Sequence, residues 1–194
     1  FSLLYIPMAK KRVRIAVLGT NGVGKTTFSE QLQKQLGNRG EEDFSEEVEF
    51  YTLQLSMNDT KVEVEVLDTE GSEQFSAMRT LCLKQCQGFV LLFSLASEQS
   101  LRDLWPVAKQ IFSAKQTHEV PMVLVGNKCD LGDNNLKVAH DLAAQAEAKF
   151  GAAYFECSAK YNLNVKRPVR HLVKEILFPE DKMLEDSPTK CDVQ

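Results

Sequence analysis

The stretch Gly19-Thr20-Asn21-Gly22-Val23-Gly24-Lys25-Thr26 decides the fold of this chain, because it matches the phosphate-loop pattern G-x-x-x-x-G-K-[ST]. Apolar residues 13–18 before it predict a buried strand, and residues 25–36 after it predict a helix. In that setting, backbone N–H groups surround a phosphate and the helix amino end adds partial positive charge. We predict a phosphate site over residues 19–27, Thr27 included, with Lys25 reaching the β- and γ-phosphates and the Thr26 hydroxyl holding Mg²⁺.

The remaining apolar runs predict further strands and helices in alternation. Buried strands are expected over Phe89–Leu95 and Met122–Val125, and a short strand over Tyr154–Glu156. Helices are expected over Leu101–Phe112, Leu136–Phe150 and Val165–Leu177. Gly151 is the expected stop of the second of these helices. Alternating strands and helices imply a parallel sheet covered by helices on both faces.

One pair of strands departs from that order. Residues Val48–Met57 and Lys61–Asp68 alternate apolar and polar side chains, and Asn58-Asp59-Thr60 between them is typical of a turn. We therefore predict an antiparallel hairpin at the sheet edge. The expected fold class is α/β, a P-loop NTPase fold with a mostly parallel six-stranded sheet and one antiparallel edge strand.

Composition limits the classes of function. The chain has 194 residues, a net charge of −4 and 26% charged residues, so a general affinity for nucleic acid is not expected. Its longest apolar run, Phe89 to Ala96, is far shorter than the roughly 20 residues of a membrane span. The five cysteines are scattered and odd in number, which favours a reduced, cytoplasmic protein.

Domain boundaries follow from the same patterns. Residues 1–8 are interpreted as a disordered leader or an expression scar, because Phe1 to Pro7 is apolar but too short for a signal peptide. A single nucleotide-binding domain is predicted over residues 9–178. Residues 179–194 are polar and are predicted to form a flexible tail.

Three further motifs belong with a nucleotide site. Asp68-Thr69-Glu70-Gly71 follows the second hairpin strand, where Asp68 would hold the metal through water and the Gly71 amide would approach a γ-phosphate. In Asn127-Lys128-Cys129-Asp130, the Asp130 carboxylate suits the N1–H and 2-amino donors of guanine, and adenine lacks that pair. The Lys128 stem would cover the base, Asn127 would tie this loop to the phosphate loop, and Ser158-Ala159-Lys160 would supply amide donors for guanine O6.

With these motifs in this order, the sequence resembles the Ras superfamily of small GTPases, closest to its Ras and Rap branch. The likeness runs from about Arg12 to Leu177 and is densest in residues 73–79, 87–89 and 120–131. The resemblance implies a monomeric GTP/GDP switch with Mg²⁺, whose two switch loops bind effector proteins in the GTP state. It also implies a guanine nucleotide exchange factor and a GTPase-activating protein as partners.

The catalytic positions depart from the family pattern. Asn21 replaces the usual glycine, and a side chain there resembles changes that block an arginine finger, whose contribution is about 10³–10⁵ in rate. Ser72 stands where most relatives have the glutamine that orients water, although Rap-like proteins also lack it. Glu70 adds negative charge near the γ-phosphate. Lys25, Gly71 and Ser72 are therefore the catalytic candidates, in a site expected to hydrolyse slowly.

The first switch is the least family-like segment. Ser45 is its only hydroxyl candidate for the Mg²⁺ shell, since residues 41–50 contain no threonine. Leu36-Gly37-Asn38 stands where relatives place the aromatic residue that stacks on guanine, and Phe44 is a candidate substitute. Weaker stacking would favour fast nucleotide exchange.

Three functions remain open from the sequence. The first is a slow, partner-dependent GTPase switch, and the second is a GTP-binding interaction module with negligible turnover, favoured by Asn21, Glu70 and Ser72. The third is a P-loop kinase or ATPase, which Asp130 argues against.

The chain ends in Cys191-Asp192-Val193-Gln194, which matches the C-a-a-X prenylation pattern. One lipid anchors a protein only marginally without a basic patch, and the residues before Cys191 are acidic rather than basic. The sequence therefore predicts weak, reversible association with the cytoplasmic face of a membrane.

Overall fold

A computed structural model describes residues 11–37, 50–57, 60–68, 83–131 and 144–180. Its strands are β1 Lys11–Leu18, β2 Phe50–Met57, β3 Thr60–Asp68, β4 Gly88–Ser94, β5 Met122–Asn127 and β6 Ala153–Glu156. Its helices are α1 Lys25–Leu36, α2 Glu98–Arg102, α3 Leu104–Lys115, α4 over residues 144–150, and α5 Lys166–Leu177, and residues 83–85 are helical as well.

The strands form one six-stranded sheet in the order β2-β3-β1-β4-β5-β6. Strands β3, β1, β4, β5 and β6 run parallel to one another, whereas β2 pairs with β3 in the antiparallel direction. The predicted fold class is therefore confirmed: the sheet is mostly parallel, its one antiparallel strand lies at an edge, and helices cover both faces.

Two hydrophobic layers flank the sheet because alternate residues of a strand point to opposite faces. On one face, Val13, Ile15 and Val17 of β1 belong to the cluster that includes Phe28 of α1 and Leu172 of α5. On the other face, Ala16 and Leu18 belong to the cluster formed with α3, α4 and Cys86. Strands β4 and β5 are buried along their whole length, as expected of central parallel strands.

The predicted antiparallel hairpin is confirmed, and so is its division into an apolar and a polar face. Leu53 lies opposite Val64, and Val62, Val64 and Val66 are all buried, whereas the side chains of Glu63 and Glu65 are partly exposed. Thr60, expected in the turn, is instead the first residue of β3, and residues 58–59 lie outside the described ranges.

The helix predicted over Leu101–Phe112 is wrong as a single element. Helix α2 ends at Arg102, and α3 begins at Leu104. The physical reason is Pro106, which cannot donate to the Arg102 carbonyl four residues earlier and whose ring crowds that carbonyl. Proline is tolerated in the first turn of a helix, so α3 restarts just before it.

The other helix predictions hold where the structure describes them. Residues 144–150 are helical, and the rest of the predicted Leu136–Phe150 helix lies outside the described residues. Gly151 ends this helix with a left-handed φ of 62° and donates its amide to Glu147 at 2.9 Å. Helix α5 carries Pro168 at its third position. Among the helices of the described ranges, none combines the length and apolarity of a membrane span.

Candidate nucleotide-binding site

The carboxyl ends of the parallel strands meet at one edge of the sheet, which is where open α/β folds bind ligands. The loop after β1 contains residues 19–24, the loop after β5 begins at Lys128, and the loop after β6 begins at Cys157. The amide of Leu95, just after β4, donates to the Asn127 carbonyl at 2.8 Å and ties two of these strand ends together.

Glycines in the phosphate loop allow close backbone approach. A Cβ atom at Gly19 would lie 2.2 Å from the carbonyl oxygen of Leu92 in β4. At Gly24 the φ angle is 97°, and a Cβ atom there would lie 2.5 Å from Nδ2 of Asn127. Neither position accepts a side chain without a shift, so both glycines of the motif are explained by packing as well as by the loop's curvature.

Lys25 is the first residue of helix α1, and its side chain folds back over the phosphate loop. The residue is 6% exposed, and its Nζ donates to the Thr20 carbonyl at 3.1 Å. Within the ranges that the structure describes, Lys25 forms no ion pair with a carboxylate. A buried ammonium without an acidic partner, at the amino end of a helix, is suited to an anion.

Asn127, the last residue of β5, joins the three loops. Its Nδ2 donates to the Val23 carbonyl at 2.8 Å, and its Oδ1 accepts from the Ala159 amide at 2.9 Å and from the Cys157 thiol at 3.6 Å. The side chain is buried, with 2% of the residue exposed. One amide group thus fixes the phosphate loop relative to both loops expected to hold the base.

The side chains of Lys128 and Asp130 are each held by a hydrogen bond to a different loop. Lys128 adopts a left-handed φ of 68°, and its Nζ donates to the Gly22 carbonyl at 2.6 Å. Asp130 lies in a short 3₁₀ helix, Cys129–Leu131, and its Oδ1 accepts from the Ser158 hydroxyl at 2.6 Å. This bond orients the carboxylate before any ligand arrives.

The amides of residues 158–160 differ in their partners. Ser158 donates its amide to the Leu163 carbonyl at 3.1 Å, and Ala159 donates to Asn127 Oδ1. The Lys160 amide has no hydrogen-bond acceptor in the part of the chain that is described. Of the three predicted donors for guanine O6, Lys160 is therefore the one whose amide is not committed to the protein.

The residues expected to hold Mg²⁺ are only partly described. Thr26 lies in the first turn of α1 beside Lys25, where its hydroxyl would be a ligand for Mg²⁺. The backbone of Asp68 ends β3 and pairs with Val17, one residue before the end of β1. Among residues 11–37, 50–57, 60–68, 83–131 and 144–180, no three or more His, Cys, Asp or Glu side chains could jointly hold a metal.

Several predicted site residues lie outside the described ranges. These are Ser45 and Phe44 of the first switch, Glu70, Gly71 and Ser72 of the second, and Cys191 of the tail. Asn21 is described, and it is exposed at the tip of the phosphate loop.

Sequence reasoning missed the loop that follows Lys160. Ser158 and Leu163 exchange two backbone hydrogen bonds, and Asn162 and Asn164 between and after them have left-handed φ angles of 58° and 57°. The Asn164 side chain donates to the Glu156 carbonyl at 3.3 Å. The signal was the pair of asparagines two residues apart, since asparagine tolerates this conformation better than most residues.

A comparison with known protein families agrees with this geometry. The sequence model described as "Ras: Ras family" matches residues 14–178, which is most of the chain. The matched region contains the phosphate loop, both base loops and all strands of the sheet except the first three residues of β1. Members of this family bind GTP and GDP and generally Mg²⁺. On its fold, its loops and this match, the chain belongs to the Ras family of small GTPases.

Proposed function

We propose that this protein is a GTP/GDP-dependent molecular switch of the Ras and Rap branch, acting in signalling, with slow and partner-dependent hydrolysis of GTP. The observation that carries the proposal is the Asn127 side chain, which binds both the Val23 carbonyl and the Ala159 amide. A nucleotide whose phosphates lie on one loop and whose base lies on the others would meet a single preformed site.

Guanine recognition is assigned to Asp130. Its carboxylate would accept from guanine N1–H and from the 2-amino group, and adenine offers no such pair of donors. The Ser158 hydroxyl holds the carboxylate ready for this contact at 2.6 Å. We assign the O6 donor to the Lys160 amide and a covering role over the base to the Lys128 stem, which the Gly22 carbonyl restrains.

Phosphate binding is assigned to residues 19–27 and to Lys25 in particular. The Lys25 ammonium would neutralise charge on the β- and γ-phosphates as the terminal phosphoryl group leaves. Thr26, Asp68 and Ser45 are the proposed Mg²⁺ ligands, and the ion would supply charge neutralisation between the phosphates. Gly71 would donate its amide to the γ-phosphate, and Ser72 would stand beside the attacking water.

Slow hydrolysis is proposed because two catalytic parts are weakened. Ser72 is too short to orient water as a glutamine does, and the exposed Asn21 occupies the approach of an arginine finger. An arginine finger contributes about 10³–10⁵ in rate, so obstruction of that approach alone would keep turnover low. The exposure of Asn21 is also the specific observation that favours the second candidate, a GTP-binding interaction module with negligible hydrolysis.

Nucleotide competition tests the binding proposal. The purified protein, with Mg²⁺ and labelled GTP, should lose the label to unlabelled GTP or GDP and not to ATP. The Asp130→Ala variant should bind GTP about 10²–10⁴-fold more weakly, because two hydrogen bonds to a charged group are worth about 3–6 kcal/mol. The Asp103→Ala variant is the matched control, since this carboxylate bonds Gln99 in α2 and lies outside the site. Equal competition by ATP would refute the guanine assignment.

Single-turnover hydrolysis separates the two candidate functions. GTP-loaded protein would be followed alone and with Rap-type or Ras-type GTPase-activating proteins. Acceleration by either protein supports the switch, and the Asn21→Gly variant should accelerate further with a Ras-type protein. Turnover that stays negligible under every condition, in wild type and in Asn21→Gly, supports the interaction module.

The partner and membrane proposals follow from the family and the tail. We propose effector proteins that bind the switch regions, an exchange factor, a GTPase-activating protein, and a monomeric cytoplasmic state. Prenylation of Cys191 would give weak, reversible attachment to a membrane face, because the acidic tail adds no basic patch. Fractionation of wild type and Cys191→Ser tests this, and identical cytosolic distributions would count against it.

A further inference from the structure

Tyr161 is an exposed aromatic residue beside the proposed guanine site. Its exposed fraction is 59%, although large apolar side chains elsewhere in the described residues are mostly buried. The Lys160 ammonium lies over its ring, with 5.0 Å between Nζ and the ring centroid. This distance is within the range of a cation–π interaction.

Local hydrogen bonds fix Tyr161 relative to Asp130. The Tyr161 amide donates to the Ser158 hydroxyl oxygen at 3.2 Å, and the same hydroxyl donates to Asp130 Oδ1 at 2.6 Å. Two backbone bonds between Ser158 and Leu163, at 3.1 and 2.9 Å, close the loop around Tyr161. The backbone of Tyr161 is therefore linked through Ser158 to the carboxylate that we assign to guanine.

The two lysines of the base loops are restrained in different ways. The Gly22 carbonyl holds the Lys128 ammonium at 2.6 Å. Lys160 is exposed, and within the described ranges the Tyr161 ring is the only group that holds its ammonium. Ordering a lysine side chain costs rotamer entropy, so a contact that already restrains Lys160 lowers the entropy lost when this side chain closes over a ligand.

Among the described residues at the end of α1, up to Gly37, none is aromatic. Gly37 caps the helix, and a Cβ atom there would lie 2.4 Å from the Gln33 carbonyl oxygen. A larger residue at this position would have to displace the backbone of the last helical turn. Tyr161, by contrast, is an aromatic residue of the base loop itself.

We propose that Tyr161 is a positioning residue for guanine nucleotides, which holds the Lys160 side chain beside the base and so slows nucleotide dissociation. The inference rests on the proposed function, because it needs a guanine nucleotide in the site. Tyr161 acts through Lys160 and needs only its aromatic face, so the hydroxyl group is dispensable.

Dissociation of fluorescent GDP from the full chain, measured with Mg²⁺ and excess unlabelled GDP, tests the proposal. Tyr161→Ala and Tyr161→Leu should release GDP about two- to fivefold faster, the fold-change that corresponds to a cation–π contact of about 0.5–1 kcal/mol. Tyr161→Phe should behave as wild type. Leu163→Ala, another exposed apolar residue of the same loop, is the matched control and should also release GDP at the wild-type rate.

A double-mutant cycle with Lys160→Ala decides whether Tyr161 acts through Lys160. In the Lys160→Ala background, Tyr161→Ala should add no further acceleration. Equal release rates for Tyr161→Ala and Tyr161→Phe would overturn the proposal, and so would an Ala effect that persists undiminished without Lys160. Failure of the wild-type protein to retain GDP at all would instead refute the proposed function.

Discussion

Replacement of Asn127 by alanine should destabilise the protein more than any other single change in the base loops. The substitution removes the donor to the Val23 carbonyl and the acceptor of the Ala159 amide, and both residues are only 1% exposed. A buried polar group left without a partner costs about 1–3 kcal/mol. The two groups together predict a loss of about 2–6 kcal/mol, a large share of the 5–15 kcal/mol that is typical of folded domains.

Urea unfolding of nucleotide-depleted protein measures this loss directly, since bound nucleotide would stabilise the folded state by mass action. Asn127→Ala should lower the unfolding midpoint with an unchanged m-value. Asn21→Ala is the matched control, because it removes an exposed amide and should change the free energy of unfolding by less than about 0.5 kcal/mol. A loss below about 1 kcal/mol for Asn127→Ala would refute the reasoning that this side chain holds the loops together.

Four further predictions concern the sheet and its surroundings. Gly19→Ala should lower the free energy of unfolding by about 1–3 kcal/mol, measured by urea unfolding, because its Cβ meets backbone at 2.2 Å. Gly88→Ala should lower the free energy of unfolding by less than Gly19→Ala does, because its Cβ meets only side-chain atoms of α5, the nearest at 2.7 Å. An equal or larger loss of stability would contradict this explanation. Burial lowers the pKa of Lys115 below its ordinary 10.5, so between the lowered pKa and 10.5 the unfolded chain keeps a proton that the folded chain has lost. Stability contributed by this group therefore rises with pH in that window, and Lys115→Met should flatten the rise in urea unfolding across alkaline pH. Glu65→Gln should lower the free energy of unfolding by about 1 kcal/mol, because Glu65 pairs with both Arg12 and Arg14. This loss of stability should become smaller in about 1 M salt, which screens the ion pairs. A loss that is independent of salt would argue against an electrostatic origin.

Most of the fold could be predicted because each strand carries its own pattern. Continuous apolar runs marked β4 and β5, and the alternation of Val62, Glu63, Val64, Glu65 and Val66 marked β3 as a strand with one polar face. The phosphate motif then fixed where β1 ends and α1 begins. These are local signals, and local signals can be read without knowing the tertiary contacts.

Features that depend on contacts between distant residues were less accessible. Pro106 was visible in the sequence, but the break it causes at Arg102 lies four residues earlier and follows from a missing hydrogen bond. The role of Asn127 as a tie to the phosphate loop was predicted, whereas its bond to the Ala159 amide was not. Similarly, no sequence pattern reveals that the Ser158 hydroxyl orients Asp130, because the two residues are 28 positions apart.

The buried thiols give this molecule an internal reporter of local opening. Cys157 lies in the layer beneath α1 and α5, and Cys86 and Cys129 lie in the opposite layer beneath α3 and α4. A bulky alkylating reagent reaches such a sulfur only when its surroundings unfold, so labelling kinetics measure how often each side of the sheet is exposed. With Cys82 and Cys191 replaced, mass spectrometry would resolve the two sides separately. A ligand that stabilises the loop after β6 should slow the labelling of Cys157 more than it slows the labelling of Cys86.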